Sequence, residues 1–236
     1  MKSAAIAFAV STLATSAAGH ATFQELWVDG VDQESTCARL PGNNNPVTSV
    51  TTDDIRCNAG SAPASAKCSV PAGDSVTVEM HQQPGDRDCT SEALGGNHFG
   101  PVLVYLSKVD DASAADGSSP WFKIYEDGYD SATDTWGNDK LNENCGKQDV
   151  TIPADIAPGD YLLRAETIAL HTASQANGAQ FYMTCYQLTV TGGGSAEPEG
   201  VEFPGAYSPS DPGIKVDIWG NDFTEYTIPG PPVYSG

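Results

Sequence analysis

Short stretches in which apolar and polar residues alternate recur along the chain, and turn-forming residues separate them. A period of two is typical of half-buried β-strands. Helical periodicity is almost absent, so the pattern predicts an all-β fold, an immunoglobulin- or fibronectin-like antiparallel β-sandwich with long loops. The predicted strands are 22–28, 75–80, 102–106, 121–125, 149–152, 161–168 and 180–190.

The segments between these strands are rich in Pro, Gly, Asn and Asp, which favour loops at 31–56, 84–96 and 126–147. Tyr161 follows a Pro-Gly-Asp turn, where a tyrosine ties down the corner of such a sandwich. From residue 191 onward the chain is rich in Pro, Gly and Tyr. Because aromatic residues are unusual in a free linker, we expect an extended C-terminal arm that lies on the domain.

The first nineteen residues have the features of a secretory signal peptide. Lys2 precedes an apolar stretch, and the small residues 17–19 precede a cleavage site. The apolar stretch is too short and too rich in Ala and Ser to span a membrane, and no later stretch qualifies. We predict cleavage after Gly19, secretion, and one domain over 20–236 without an appended module.

The charge balance narrows the choice of partners. The chain has 11 Lys and Arg against 31 Asp and Glu, which argues against a nucleic-acid partner and leaves neutral polymers open. An even set of six cysteines in an oxidising compartment indicates up to three disulfides, whose pairing stays open. A bridge between Cys37 and Cys57 would hold the ends of the first long loop.

Candidate metal chemistry depends on the histidines. After cleavage, His20 offers its α-amine and its ring Nδ1 to one metal ion. His98 lies in a glycine-rich loop, and three nitrogens in one plane suit copper(II). His171 ends a predicted strand, while Gln180 and Tyr182 share one face of the next. Taken singly, these residues are equally compatible with structural roles.

Ordered blocks along the whole mature chain resemble one known family, the fungal lytic polysaccharide monooxygenases of auxiliary activity family 9, formerly glycoside hydrolase family 61. They include the signal that ends before His20 and the segment His98-Phe99-Gly100-Pro101-Val102. The other blocks are 27–30, 43–47, 54–58, 161–166, 168–171, 178–182, 203–207 and 228–236.

The resemblance implies a single copper ion held by the His20 amine, His20 Nδ1 and His98 Nε2. Tyr182 would stand at the axial position as a weak ligand. His171 and Gln180 would form hydrogen bonds beside the metal and tune it. His81 has no place in the family pattern.

The resemblance also implies oxidative cleavage of β-1,4-glucan, such as cellulose, by hydroxylation at carbon 1, carbon 4 or both. The reaction needs an external electron donor and dioxygen or hydrogen peroxide, and the protein is expected to act as a monomer. Trp219 matches a family position on the flat substrate face, and Tyr207 and Tyr234 are weaker candidates there. A disulfide joins the family positions that match Cys57 and Cys185.

Two alternatives stay open on the sequence. One is an endoglucanase with two carboxylates, although no acid/base motif is recognisable and the histidines would be unexplained. The other is a secreted β-sandwich that binds copper or carbohydrate without catalysis. The segment 37–41 lies in a region that varies within the family and resembles that of members that oxidise carbon 1.

Overall fold

In a computed structural model of the chain, residues 19–236 form twelve β-strands and two short helices. The predicted signal peptide lies outside these residues, apart from Gly19. In chain order the elements are β1 (Thr22–Val28), β2 (Val31–Asp32), β3 (Ala38–Arg39), α1 (Asp54–Cys57), β4 (Cys68–Pro71), β5 (Ser75–His81), β6 (Val102–Val109), β7 (Phe122–Asp127), β8 (Tyr129–Asp130), β9 (Thr135–Trp136), α2 (Gly137–Glu143), β10 (Lys147–Thr151), β11 (Gly159–Ala169) and β12 (Gln180–Thr191).

The strands pack as two sheets, which confirms the predicted β-sandwich. One sheet has the order β10-β5-β1-β2, and its neighbours are antiparallel. The other has the order β3-β12-β11-β6-β7, also antiparallel, and β4 adds to it parallel to β12. The hairpin β8-β9 stands apart from both sheets.

Strand β12 shows how the sequence pattern produces this packing. Tyr186 and Leu188 point into the core between the sheets. Phe181 and Met183 alternate with them and belong to a second apolar cluster, on the outer face of the larger sheet. Because both faces of β12 are buried, apolar residues occur on both faces, at seven of the twelve positions of the strand.

The C-terminal arm covers that outer face, as predicted. Val201 pairs with Trp121 through reciprocal backbone hydrogen bonds, and Tyr234 N–H donates to the Lys123 carbonyl. Phe203 of the arm is fully buried in the second apolar cluster. The arm is therefore part of the folded domain.

The predicted tyrosine corner is also present. The Tyr161 hydroxyl donates a hydrogen bond to the Ala157 carbonyl at 2.7 Å. This bond fixes the turn that leads into β11. His171 lies in the loop that follows the far end of this strand.

The segment 126–147 is not only a loop, because it contains β8-β9 and the helix α2. Leu141 is the one apolar side chain of α2 among its buried residues, so no helical period is visible in the sequence. The helix starts with a hydrogen bond from the Trp136 N–H to the Asp139 carboxylate. Loop 31–56 likewise contains the short elements β2, β3 and α1.

Six cysteines form three disulfides in the described residues. The predicted closure of a loop by Cys37 and Cys57 is wrong, because α1 carries Cys57 to the outer face of β12, against Cys185. Cys37 lies before β3, and both β3 and β4 pair with β12. The bridges are Cys37–Cys68, Cys57–Cys185 and Cys89–Cys145. No helix in residues 19–236 has the length and apolar character of a membrane span.

Candidate metal centre

Strand register brings the predicted site residues to one end of the sandwich. Val102, the first residue of β6, pairs with Thr167, near the end of β11. Ala169, the last residue of β11, pairs with Gln180, the first residue of β12. The loop before β6, which carries His98, therefore meets the loop after β11, which carries His171.

The ring of His98 is oriented by a backbone carbonyl. Its Nδ1 lies 2.6 Å from the Gly95 oxygen, and because a carbonyl only accepts, Nδ1 carries the proton. The lone pair on Nε2 is thereby free for a metal. Burial lowers the pKa of His98, and so do the nearby His171 and His20, although the Gly95 hydrogen bond opposes them. These effects together favour the neutral imidazole, which is the form that binds metals.

A side chain of α2 fixes the His98 loop, and the sequence analysis missed it. Asn138 donates from Nδ2 to the His98 carbonyl, and its Oδ1 accepts from the Gly100 N–H at 3.1 Å. Its own N–H donates to the Gly100 carbonyl at 3.1 Å. Asn138 lies in the segment 126–147, which the sequence predicts to be a loop, so no sequence signal links it to His98.

The backbone just before His20 lies against His98 and Tyr182. The Tyr182 hydroxyl is 3.3 Å from the Gly19 carbonyl oxygen, whose carbon is bonded to the His20 nitrogen. A Cβ added to Gly19 would fall 1.8 Å from His98 Cε1. The His20 nitrogen is thus within one peptide unit of both side chains, and cleavage after Gly19 would make it a primary amine there.

Two other predicted residues complete the group. The His171 ring centroid is 4.4 Å from that of His98, and its buried Nδ1 has no hydrogen-bond partner among the described residues. Burial lowers the pKa of His171. Tyr182 is 1% exposed and donates to Gln180 Oε1 at 2.8 Å. Burial raises the pKa of Tyr182, which favours the protonated phenol, a form that binds metals only weakly.

The donor set fits a copper ion that takes one nitrogen from the chain terminus. Within residues 19–236, no three or more His, Cys, Asp or Glu side chains form a group arranged to hold a metal. The imidazoles of His20 and His98 would supply only two nitrogens. The free amine of His20 would supply the third. Three nitrogens match the preference of copper(II) for nitrogen-rich tetragonal sites. The unpaired His171 Nδ1 marks where a further polar group is expected.

Of the three predicted substrate contacts, the structure brings only Trp219 to this end. Its indole is 54% exposed, and its N–H donates to the His171 carbonyl at 2.9 Å. The prediction for Tyr207 is wrong, because the ring is buried in the second apolar cluster and its hydroxyl donates to Glu166. Tyr234 bonds to Asp155, beside the start of β11, at the opposite end of the sandwich.

Comparison with known proteins agrees with this geometry. The family model described as Auxiliary Activity family 9 (formerly GH61) matches residues 20–226. The chain belongs to Auxiliary Activity family 9. An AA9 family lytic polysaccharide monooxygenase E of Malbranchea cinnamomea is 65% identical over 226 residues, which cover 93% of this chain and 87% of the relative.

Solved structures of AA9 proteins share the fold. CvAA9A is 36% identical and has a TM-score of 0.84, covering 91% of this chain and 98% of that one. A structure described as a cellulose-active polysaccharide monooxygenase from M. thermophila is 34% identical with a TM-score of 0.77, and the coverages are 91% and 99%.

The AA9 assignment states the class of chemistry. Lytic polysaccharide monooxygenases are copper-dependent oxidoreductases that act oxidatively on polysaccharides, and this chain is an enzyme of that class. The resemblance predicted from the sequence is thereby confirmed.

Proposed function

We propose that this AA9 enzyme cleaves the β-1,4-glucan chains of cellulose by hydroxylation at carbon 1, carbon 4 or both, with one bound copper ion. The observation that carries the proposal is the convergence of His98, with Nε2 free, on the backbone that ends at His20. A neighbour in fold, from M. thermophila, is described as cellulose-active, which supports cellulose as the substrate.

In this proposal the His20 amine, His20 Nδ1 and His98 Nε2 hold the metal. When bound, copper accepts an electron from an external donor and activates dioxygen or hydrogen peroxide for attack on a C–H bond. The Gly95 carbonyl keeps the proton on His98 Nδ1, so that Nε2 stays directed at the metal.

Three neighbouring side chains set the surroundings of the metal. Gln180 Oε1 accepts from Tyr182, which leaves the Nε2 amide group of Gln180 as a donor toward the centre. His171 Nδ1, which is buried and unpaired among the described residues, holds or releases a proton beside the same place. The buried Tyr182 hydroxyl would lie beside a bound metal and would exclude solvent from that side.

The exposed indole of Trp219 stacks on a sugar ring of the polysaccharide surface in this proposal. Its hydrogen bond to the His171 carbonyl fixes the distance between the stacking surface and the metal. We also propose that residues 20–236 act as one secreted, monomeric catalytic domain after cleavage at Gly19. The family match beginning at residue 20 supports this processing.

Mass spectrometry of released sugars tests the proposal. Copper-loaded protein that begins at His20 is incubated with amorphous cellulose, with and without ascorbate. We expect reductant-dependent oligosaccharides that are one oxygen atom heavier than the native sugars, or their lactone and ketone forms. Only unoxidised oligosaccharides would indicate hydrolysis instead. Bound copper without any product would indicate a binding protein or another polymer.

A further inference from the structure

Asn142 of α2 holds the backbone four residues before His98 with both ends of its side-chain amide. Its Oδ1 accepts from the Leu94 N–H at 2.9 Å, and its Nδ2 donates to the Leu94 carbonyl at 3.1 Å. An amide group that donates and accepts at one residue fixes the orientation of the backbone there as well as its position.

The residue after Leu94 supplies the carbonyl that orients the His98 ring. The Gly95 oxygen lies 2.6 Å from His98 Nδ1. The Leu94 carbonyl that Asn142 holds belongs to the peptide unit that joins Leu94 to Gly95. Only the backbone of Gly95 therefore separates the bonds made by Asn142 from the hydrogen bond that sets the His98 tautomer.

This part of the loop needs an anchor because its own sequence leaves it flexible. Gly95 and Gly96 are adjacent, and Gly96 has a left-handed φ of 73°. Glycine has more backbone conformations to lose on folding than any other residue. Gly96 and Asn97 are also exposed, whereas Leu94 is buried. Without the bonds to Asn142, the Gly95 carbonyl could rotate away from the His98 ring.

The helix α2 holds His98 from both sides along the chain. Asn138 and Asn142 are four residues apart, so they share one face of the helix. Asn138 bonds to the His98 carbonyl and the Gly100 N–H, at and after the ring. Asn142 holds the segment before the ring, which carries the acceptor for Nδ1.

A disulfide ties the same loop to the end of α2. Cys145, two residues beyond the helix, is bridged to Cys89, five residues before Leu94. This bridge and the buried side chain of Leu94 keep the loop attached to the domain when the Asn142 amide is removed. A variant at Asn142 should therefore change the orientation of the Gly95 carbonyl and retain the fold.

We propose that Asn142 is a positioning residue for His98. Through Leu94 it holds the Gly95 carbonyl, which keeps the His98 proton on Nδ1 and leaves the Nε2 lone pair for the metal. The inference rests on the proposed function, because it takes His98 to be a copper ligand. The tautomer of His98 is nevertheless a property of the metal-free protein and is measured without copper.

Nuclear magnetic resonance of the ¹⁵N-labelled imidazoles tests the proposal in metal-free protein that begins at His20. The spectra are recorded at about pH 8, above the ordinary pKa of histidine. In the wild type we expect the Nδ1–H tautomer of His98 to exceed the Nε2–H tautomer by about tenfold. In Asn142→Ala the ratio should fall below about threefold, because the acceptor is no longer held in place.

Copper binding to the same proteins gives the second measurement. Calorimetry should show about a tenfold weaker affinity in Asn142→Ala, and the electron paramagnetic resonance spectrum should change. Asn144→Ala is the matched control, since its amide bonds to the Lys147 carbonyl at the same end of α2. Val150→Ala is the stability control, because Val150 is buried in the core on β10. It should lower thermal stability and leave both measurements unchanged.

The outcomes separate this inference from the proposed function. If the wild type binds copper and oxidises cellulose but Asn142→Ala keeps the wild-type tautomer ratio or copper affinity, the positioning role is overturned. Equal shifts of the tautomer ratio in Asn142→Ala and Val150→Ala would also overturn it, since they would reflect general destabilisation. A tautomer shift confined to Asn142→Ala, in a protein that binds no copper, would support the positioning of His98 and reject the proposed function.

Discussion

The Tyr182 hydroxyl donates to Gln180 Oε1 at 2.8 Å, although the two residues are only two apart on β12. Their side chains point the same way because a strand alternates its faces, and the bond restrains the orientation of the glutamine amide. The same hydroxyl lies 3.3 Å from the carbonyl that precedes His20.

Tyr182→Phe should therefore keep copper bound while changing its surroundings. The variant loses the hydroxyl that donates to Gln180 but none of the three nitrogens proposed to hold the metal. We expect a copper affinity within about threefold of the wild type and an altered electron paramagnetic resonance spectrum. Oxidised sugars should form more slowly. Complete loss of copper would show that the tyrosine is a primary ligand.

His98→Ala should abolish tight copper binding, because it removes one of three nitrogens. We expect the affinity measured by calorimetry to fall at least about a hundredfold. His81→Gln is the control, since His81 is buried against Glu79 and is not among the proposed ligands. Comparable copper affinity in His98→Ala and the wild type would reject the proposed centre.

Asn138→Ala tests whether the His98 loop must be held from α2. The change removes the side-chain bonds to the His98 carbonyl and the Gly100 N–H without touching a ligand. We expect about a tenfold loss of copper affinity, as is usual for groups that orient metal ligands. Asn138→Asp keeps the acceptor for Gly100 and should recover part of this loss. If Asn138→Ala lowers only thermal stability, the residue has no positioning role.

Much of the fold was predictable because apolar and polar residues alternate along the first half of β5, and because apolar residues recur along β12. The helix α2 was not predictable, because its sequence has no apolar stripe. It contributes Asn138 to the site through hydrogen bonds. The proposed ligands His20 and His98 were predicted from family motifs, and local patterns alone left their roles open. Tyr207 was misplaced because a tyrosine in a Pro- and Gly-rich arm has the same sequence signal whether it is exposed or bonded to Glu166.

Trp219→Ala should weaken adsorption to cellulose, because it removes the exposed stacking surface at the metal end. We expect a loss of about twofold to tenfold, in the range of one aromatic stacking contact. Tyr234→Ala is the matched control at the opposite end of the sandwich and should bind normally. The measurement is a binding isotherm on microcrystalline cellulose. An equal loss in both variants would point to general destabilisation.

A buried carboxylate, Glu79, predicts how stability depends on pH. Burial alone would raise its pKa, but hydrogen bonds from His81, Arg87 and Trp27 outweigh burial and lower the pKa to about 2. The ordinary value is 4.5, so the carboxylate stabilises the fold fully above about pH 4.5. That stabilisation is lost as the pH falls toward 2. Its size is about 3 kcal/mol, because the shift is about two and a half units.

Glu79→Gln should therefore be less stable than the wild type at pH 7, and the difference should shrink steadily below pH 4.5. Guanidinium unfolding of the disulfide-intact proteins at a series of pH values measures this difference in the free energy of unfolding. Glu225→Gln, an exposed change on the C-terminal arm, serves as the control and should follow the wild type at every pH. The difference in the free energy of unfolding between Glu79→Gln and the wild type could instead stay constant from pH 7 to pH 2. The ionised carboxylate would then not be the source of the lost stability.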